Sequence, residues 1–291
     1  MIRIQNLTFA YEADQTPTLK DINLLINEGE YIAIIGPNGC GKTTIIRHLN
    51  ALLVPTAGEV LFNDLNTRDP KSLREIRSRV GMVFQNPDNQ IVGMSVEEDV
   101  AFGPCNFGLP AVEVRRRVNH ALETVGLTGL EKRRPHTLSG GQKQLLAIAG
   151  LLAMDPEIIV LDEPTSSLDP AGKKNVLTLL QKLKGQGIGI IHVTHNMDEA
   201  AISDRVLVMD GGELIADGSP DDILSRVEWL KALGLAPPKV TELMWHLQQA
   251  GEDVGSNIFT IQDAVSEITI LLAELRTARN DNMPRKVGRY V

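Results

Sequence analysis

The sequence predicts an α/β fold: a mainly parallel central sheet, a small antiparallel β lobe, an inserted helical subdomain and a C-terminal helical extension. Three segments carry that expectation. Gly36-Pro37-Asn38-Gly39-Cys40-Gly41-Lys42-Thr43 fits the phosphate-loop pattern G-x-x-x-x-G-K-[ST], which has meaning only between a strand and a helix. Ile158-Ile159-Val160-Leu161 is an apolar run closed by Asp162-Glu163-Pro164, and ligands sit at the carboxyl ends of buried parallel strands. Leu138-Ser139-Gly140-Gly141-Gln142 is a second glycine turn, distant in the chain from the first and set within a stretch of helical pattern.

Taken from the N-terminus, residues 1–30 and about 55–65 hold short alternating segments, with Ile2, Ile4 and Leu7 in the first and Val60 and Phe62 in the second. They predict the antiparallel lobe. Tyr31-Ile32-Ala33-Ile34-Ile35 is a short β-rich strand leading into the glycine loop, and Thr44-Ile45-Ile46-Arg47-His48-Leu49 continues it as a helix. Residues 31–54 and 156–210 supply most of the parallel core, with strands near Ile34, Val83, Val160, Ile190 and Val206. Between them, about 86–155 is helical in pattern. Ser139 is placed to cap the helix that Gly140 and Gly141 begin. Val206-Leu207-Val208-Met209, Asp210-Gly211-Gly212 and Glu213-Leu214-Ile215 read as a closing hairpin.

Past Gly218, two more helices follow from pattern. Pro237-Pro238 opens the first, Val240, Leu243, Met244 and Leu247 form its stripe, and Gly251 ends it. Thr260 caps the second, with Asp263 three residues on and Val265, Ile268, Leu272 and Leu275 as its stripe. Both stripes have two readings: packing on the chain's own core, or against another subunit. Arg276, Arg279, Arg285, Lys286 and Arg289 give the chain a basic tail.

The chemistry begins at the loop. Glycines let backbone N–H groups turn inward as an anion nest, and a helix N-terminus adds partial positive charge. Lys42 is placed to reach the β- and γ-phosphates of a nucleotide and the Thr43 hydroxyl to ligate Mg²⁺. Asp162 is expected to hold Mg²⁺, and Glu163 projects differently and is expected to polarise the attacking water. The expected activity is ATP hydrolysis.

Composition narrows the setting. The chain has 291 residues, 43% hydrophobic, two cysteines (Cys40 and Cys105) and a net charge of −8. Two cysteines make no disulfide framework, and an acidic balance disfavours nucleic acid as a partner. No apolar run approaches the roughly 20 residues that span a bilayer, and no signal peptide is evident, so the expectation is a subunit on the cytoplasmic side. The runs Arg115-Arg116-Arg117 and Lys132-Arg133-Arg134 read as solvated helix surface.

These residues resemble the nucleotide-binding subunit of an ABC transporter over about residues 1–220. The resemblance implies a P-loop NTPase fold of the ABC type, with a helical subdomain at about 86–155 and an extension over 221–291. It implies that Tyr11 stacks on adenine, that Gln85 contacts Mg²⁺ and the membrane partner, and that Ser167-Leu168-Asp169 is the loop by which two subunits touch. His195 resembles the switch histidine near the γ-phosphate, joining Lys42 and Glu163 as a catalytic candidate, while His48, His120, His136, His192 and His246 are read as structural. Thr44 completes the nucleotide contacts of the loop. Ser139, Gly140, Gly141 and Gln142 are expected to meet ATP held by the opposite subunit of a closed homo- or heterodimer.

A finer likeness lies in Phe84-Gln85-Asn86-Pro87-Asp88-Asn89-Gln90, Asp99-Val100-Ala101-Phe102-Gly103-Pro104 and Ala147-Ile148-Ala149-Gly150. These segments are similar to ATPases of energy-coupling-factor transporters, which import cobalt, nickel or vitamins. That family implies a transmembrane scaffold, a separate membrane protein that chooses the cargo, and a peripheral position at the cytoplasmic face. Leu145 and Cys40 depart from the usual residues without removing a group the chemistry needs. The rival is a soluble ABC ATPase, but the chain has neither the long coiled coil of repair-type relatives nor the two modules of translation-type ones.

Overall fold

The computed structural model describes residues 1–12 and 16–281, with side chains as far as Ala273. One sheet is antiparallel, in the order β2-β1-β4-β5, from β1 (Ile2–Phe9), β2 (Leu19–Ile26), β4 (Ala57–Phe62) and β5 (Leu65–Asn66). The other contains β3 (Tyr31–Ile35), β6 (Val80–Val83), β7 (Ile158–Asp162), β8 (Gly189–Val193), β9 (Arg205–Asp210) and β10 (Glu213–Gly218) in the order β10-β9-β3-β8-β7-β6. Its neighbours are parallel except for the β9–β10 hairpin, as the Asp-Gly-Gly turn predicts.

Around these lie α1 (Lys42–Leu49), α2 (Leu73–Arg79), α3 (Val96–Asn106), α4 (Ala111–Val125), α5 (Gly140–Leu152) and α6 (Pro170–Gly185). The short helices α7 (Met197–Ala200), α8 (Pro220–Leu224) and α9 (Val227–Ala232) precede α10 (Lys239–Gln249) and α11 (Ile261–Asp281). A strand covered on both faces must be apolar throughout. β7 meets that demand: Ile158 and Val160 join a core shared with the antiparallel lobe and α1, while Ile159 and Leu161 join one shared with α3–α6. A third cluster seals α7–α9 onto Ala33, Ile35, Val206 and Val208. Because β3, β6, β7 and β8 run parallel, the residues that follow them, near Gly36, Gln85, Glu163 and His195, emerge at one edge of the sheet.

Arg115 and Arg116 lie on the exposed face of α4, with Arg117 half-buried. Lys132-Arg133-Arg134 is exposed in a turn and not on a helix, which corrects the helix-surface expectation for that run. Arg116 and Arg117 both pair with Glu113, at 2.7 and 2.8 Å, and Lys132 pairs with Glu97 at 2.5 Å. The helices α2, α6, α7, α8 and α9 are additions to the sequence-based expectation. The extension also corrects two details. Met244 is buried, with Val240 and Leu247 packed beside it, but Leu243 is 47% exposed. On α11 the buried stripe is Ala264, Ile268 and Leu271, whereas Val265 and Leu272 are exposed. α11 carries apolar residues on two faces, and the face with Ala264, Ile268 and Leu271 is the one that clusters with Met244 of α10. The residues from Arg285 onward lie outside the described residues, as do the side chains of Leu275, Arg276 and Arg279.

Candidate functional site

The glycine loop leaves β3 at Gly36, whose φ is 152° and where a Cβ would fall 2.2 Å from the Met209 carbonyl oxygen. Gly41 (φ 107°) leads into α1, and a Cβ there would meet a Leu19 methyl at 2.8 Å. Only glycine satisfies both the backbone angle and the space. The loop therefore closes around a cavity of about 260 Å³ lined by Asn38, Gly39, Lys42, Thr43, Glu163 and His195, with Gly41 and Thr44 beside them. Lys42 Nζ donates to the Gly36 and Pro37 carbonyls at 2.7 and 2.8 Å. Its buried side chain is thus held against the loop's own backbone while lining the cavity.

Thr43 Oγ1 donates to Asp162 Oδ1 at 3.2 Å, which joins α1 to the end of β7. Burial pushes the Asp162 carboxyl up, while the Thr43 bond pulls it down. Two hard oxygen donors side by side at a phosphate nest are the ligand chemistry of Mg²⁺. Glu163 has φ of 48°, a left-handed conformation that is uncommon outside glycine and clusters at functional sites. Gln85 Nε2 donates to its Oε2 at 3.0 Å, and His195 Nε2 contacts Oε1. The structure therefore brings Lys42, Thr43, Asp162, Glu163, Gln85 and His195 together. Tyr11 joins them through α1: its hydroxyl lies 3.1 Å from Thr44 Oγ1, its ring packs edge-on against Phe9, and it is half exposed.

Ser139, Gly140, Gly141 and Gln142 stand apart. They take no part in lining the phosphate-loop cavity. Ser139 Oγ accepts from Gln142 N at 3.3 Å and Gln142 Oε1 accepts from Ser139 N at 3.0 Å, a capping box that fixes the exposed N-terminus of α5. Gly141 packs against Gly172 of α6, just beyond the Ser167-Leu168-Asp169 loop. Lys143 Nζ reaches Asp88 Oδ1 at 2.7 Å, tying the same helix to the segment after Gln85.

The buried histidines have structural partners. His48 Nδ1 donates to the Thr44 carbonyl at 2.8 Å, and His192 meets the Tyr31 hydroxyl at 3.1 Å. Sequence reasoning missed Thr165, Lys173, Thr194 and Glu199, which form a polar cluster behind Glu163 and His195. The only local signal is that Thr165 and Thr194 flank the two catalytic candidates.

Cys40 is buried, with Sγ 4.0 Å from Lys42 Nζ. Burial pushes its thiol pKa up, with the Lys42 charge opposing, so the reactive thiolate is scarce. An alkylating reagent is expected to modify exposed Cys105 first and Cys40 slowly, with ATP slowing it further. In a Cys105→Ser background, a mass-spectrometric time course with and without ATP checks the order. Modified protein that still binds ATP would show that the thiol sits clear of the phosphates.

The ABC transporter family model matches residues 19–166. The cobalt import ATP-binding protein CbiO of Syntrophus aciditrophicus (strain SB) is 51% identical over 268 residues, covering 92% of this chain and 96% of the relative. The energy-coupling factor transporter ATP-binding protein EcfA1 of Caldanaerobacter subterraneus subsp. tengcongensis is 52% identical over 272 residues, covering 92% and 98%. Among solved structures, cbiO1 of Clostridium perfringens, part of the ABC transporter complex cbiONQ, superposes with a TM-score of 0.73 at 39% identity, over 84% of this chain and 98% of that one. A dimeric ATP-binding cassette, MJ0796, in a post-hydrolysis state with ADP and Pi, is similar at TM-score 0.68 and 33% identity, over 76% and 99%.

Proposed function

This chain belongs to the ABC transporter family, in its energy-coupling-factor branch, and from that premise we propose how its residues bind and hydrolyse ATP to power import through membrane partners. The observation that carries the reading is the grip of Gln85 and His195 on the two oxygens of Glu163, at the rim of the Lys42 cavity. The loop from Gly36 to Thr44 cradles the phosphates, Lys42 neutralises the β- and γ-phosphates, and Tyr11 stacks on adenine. Thr43 and Asp162, with Gln85, would hold Mg²⁺, which would supply positive charge to the phosphate oxygens. Glu163 accepts the proton of the attacking water. As the oxygen–γ-phosphorus bond forms, the bridge to the β-phosphate breaks, leaving ADP and inorganic phosphate. His195 holds Glu163 in register.

Ser139, Gly140, Gly141 and Gln142 serve the other subunit's ATP. Their helix end takes no part in lining their own cavity, so they complete a site when two ATPase subunits meet face to face. Bound ATP then favours the closed dimer, and hydrolysis removes the phosphate that bridges it. The Ser167-Leu168-Asp169 loop lies between the two half-sites and reports one to the other. Gln85, tied to α5 through Asp88 and Lys143, passes closure to a transmembrane scaffold that works with a substrate-binding membrane protein. The module spans residues 1–220, with the helical subdomain at about 86–155 and the extension from 221 onward. The exposed ridge of Ile261, Val265 and Leu272 on α11 suits the extension to a contact with the second ATPase subunit.

Among the described residues no helix is long and apolar enough to cross a membrane. The chain acts as a peripheral subunit at the cytoplasmic face. Purification of the tagged chain from its own membranes in mild detergent tests this. Recovery of a transmembrane scaffold and a small membrane protein is expected; recovery from the soluble fraction without membrane partners would move the reading to a soluble ABC ATPase.

A further inference from the structure

Beneath the Glu163–His195 pair, one carboxylate is shared by the segments that present them. Glu199 on α7 is 1% exposed. Its Oε1 accepts from Thr165 Oγ1 at 2.8 Å and pairs with Lys173 Nζ at 2.6 Å. Its Oε2 accepts from Thr194 Oγ1 at 2.7 Å. His192 Nε2 lies 3.2 Å from Oε2, outside the angles of a good hydrogen bond, with the Tyr31 hydroxyl on its other nitrogen. A carboxylate so deeply buried persists only when paired and hydrogen-bonded. Burial alone would raise its pKa; the Lys173 ammonium and the Thr194 hydroxyl oppose that and keep it a carboxylate.

The partners stand on separate segments. Thr165 follows Glu163 by two residues, Thr194 immediately precedes His195, and Lys173 is one turn beyond Asp169 at the start of α6. The Thr194 hydroxyl also accepts from Asn196 N at 3.0 Å, so the group that donates to Glu199 closes the turn bearing His195. Glu163, in its left-handed conformation, is further fixed by its N–H donating to the Val193 carbonyl at 3.1 Å. Such a conformation persists only where the surroundings over-determine it.

We propose that Glu199 is a positioning residue for hydrolysis, locking the Glu163 loop, the His195 turn and the start of α6 into one body. The proposal rests on the reading of Glu163 as the base. Misplacing a reacting group by about 1 Å costs about 10²-fold in rate, so loosening this clasp acts on turnover and leaves the phosphate loop untouched.

The test uses steady-state ATPase kinetics of the full chain for Glu199→Gln, Thr194→Val, Glu163→Gln and the Glu163→Gln/Glu199→Gln double variant. Thr194→Val is isosteric and carries the test should Glu199→Gln fail to fold. Each of Glu199→Gln and Thr194→Val is expected to lower kcat by about 10–100-fold with KM for ATP unchanged within about twofold. In the Glu163→Gln background, Glu199→Gln is expected to add less than about a twofold loss, because residues acting as a unit are non-additive. Near-wild-type kcat in both single variants, a KM that rises with the fall in kcat, or an equal further loss on top of Glu163→Gln would overturn the proposal. Wild-type turnover by Glu163→Gln would overturn the base assignment, and the proposal with it.

Discussion

Glu163→Gln is expected to cut ATP turnover by about 10²–10⁴-fold, the usual contribution of a positioned general base, and to trap an ATP-bound dimer. The argument is one of isosteric loss. Glutamine keeps the side-chain volume and an oxygen that still accepts from Gln85 or His195, the two groups now gripping the carboxylate. It leaves the Lys42 contacts and the Thr43–Asp162 bond in place. What disappears is the ability to take a proton from water. ATP then binds and draws two subunits together, but its γ-phosphate stays, so reopening waits on dissociation. Phosphate release and light scattering of the same sample report both halves. Wild-type turnover would sink the base assignment; lost turnover without a longer-lived dimer would separate the chemistry from the closure it is meant to end.

Much of this site was legible because it is local. The strand, glycine loop and helix around Gly36–Thr44 are contiguous, and their geometry needs little from the rest of the chain. The apolar strand ending in Asp162 and Glu163 and the Ser139 cap are also short-range patterns, and both formed as expected. Gln85 and His195 were nominated by family resemblance alone, since a single Gln or His has no periodicity to betray it. Their meeting on Glu163 depends on strand order, which residue spacing does not encode.

Glu199 illustrates the remaining gap. Next to Asp198 at a helix start, it reads as an ordinary first-turn acid, and its burial is created by Lys173 and Thr165 from segments far away in sequence. On α11 both faces carry apolar residues, Ala264, Ile268 and Leu271 on the covered one and Val265 and Leu272 on the exposed one. Hydrophobic pattern locates such a helix without choosing its buried face.

Ser139→Arg is expected to leave ATP binding intact within a few-fold and to abolish ATP-dependent dimerisation, with hydrolysis falling by at least about 10²-fold, as when oxyanion donors are lost. Ser139 is exposed and outside the lining of its own cavity, so the arginine replaces no group that contacts the phosphate loop of the same chain. Its direct cost is a helix cap, about 1 kcal/mol, small beside the 5–15 kcal/mol that typically holds a domain together; the fold survives. The arginine does occupy the surface where a partner's γ-phosphate must dock, and it removes the hydroxyl that fixes the first turn of α5. Ser139→Ala separates these effects, since it loses the cap without adding bulk. If the alanine variant still closes and the arginine variant does not, the steric face of the second glycine turn is what the partner needs. Normal dimerisation of Ser139→Arg would instead place the second glycine turn outside the ATP sandwich, and the Gly141–Gly172 and Lys143–Asp88 contacts would then describe only how α5 is anchored within its own subunit.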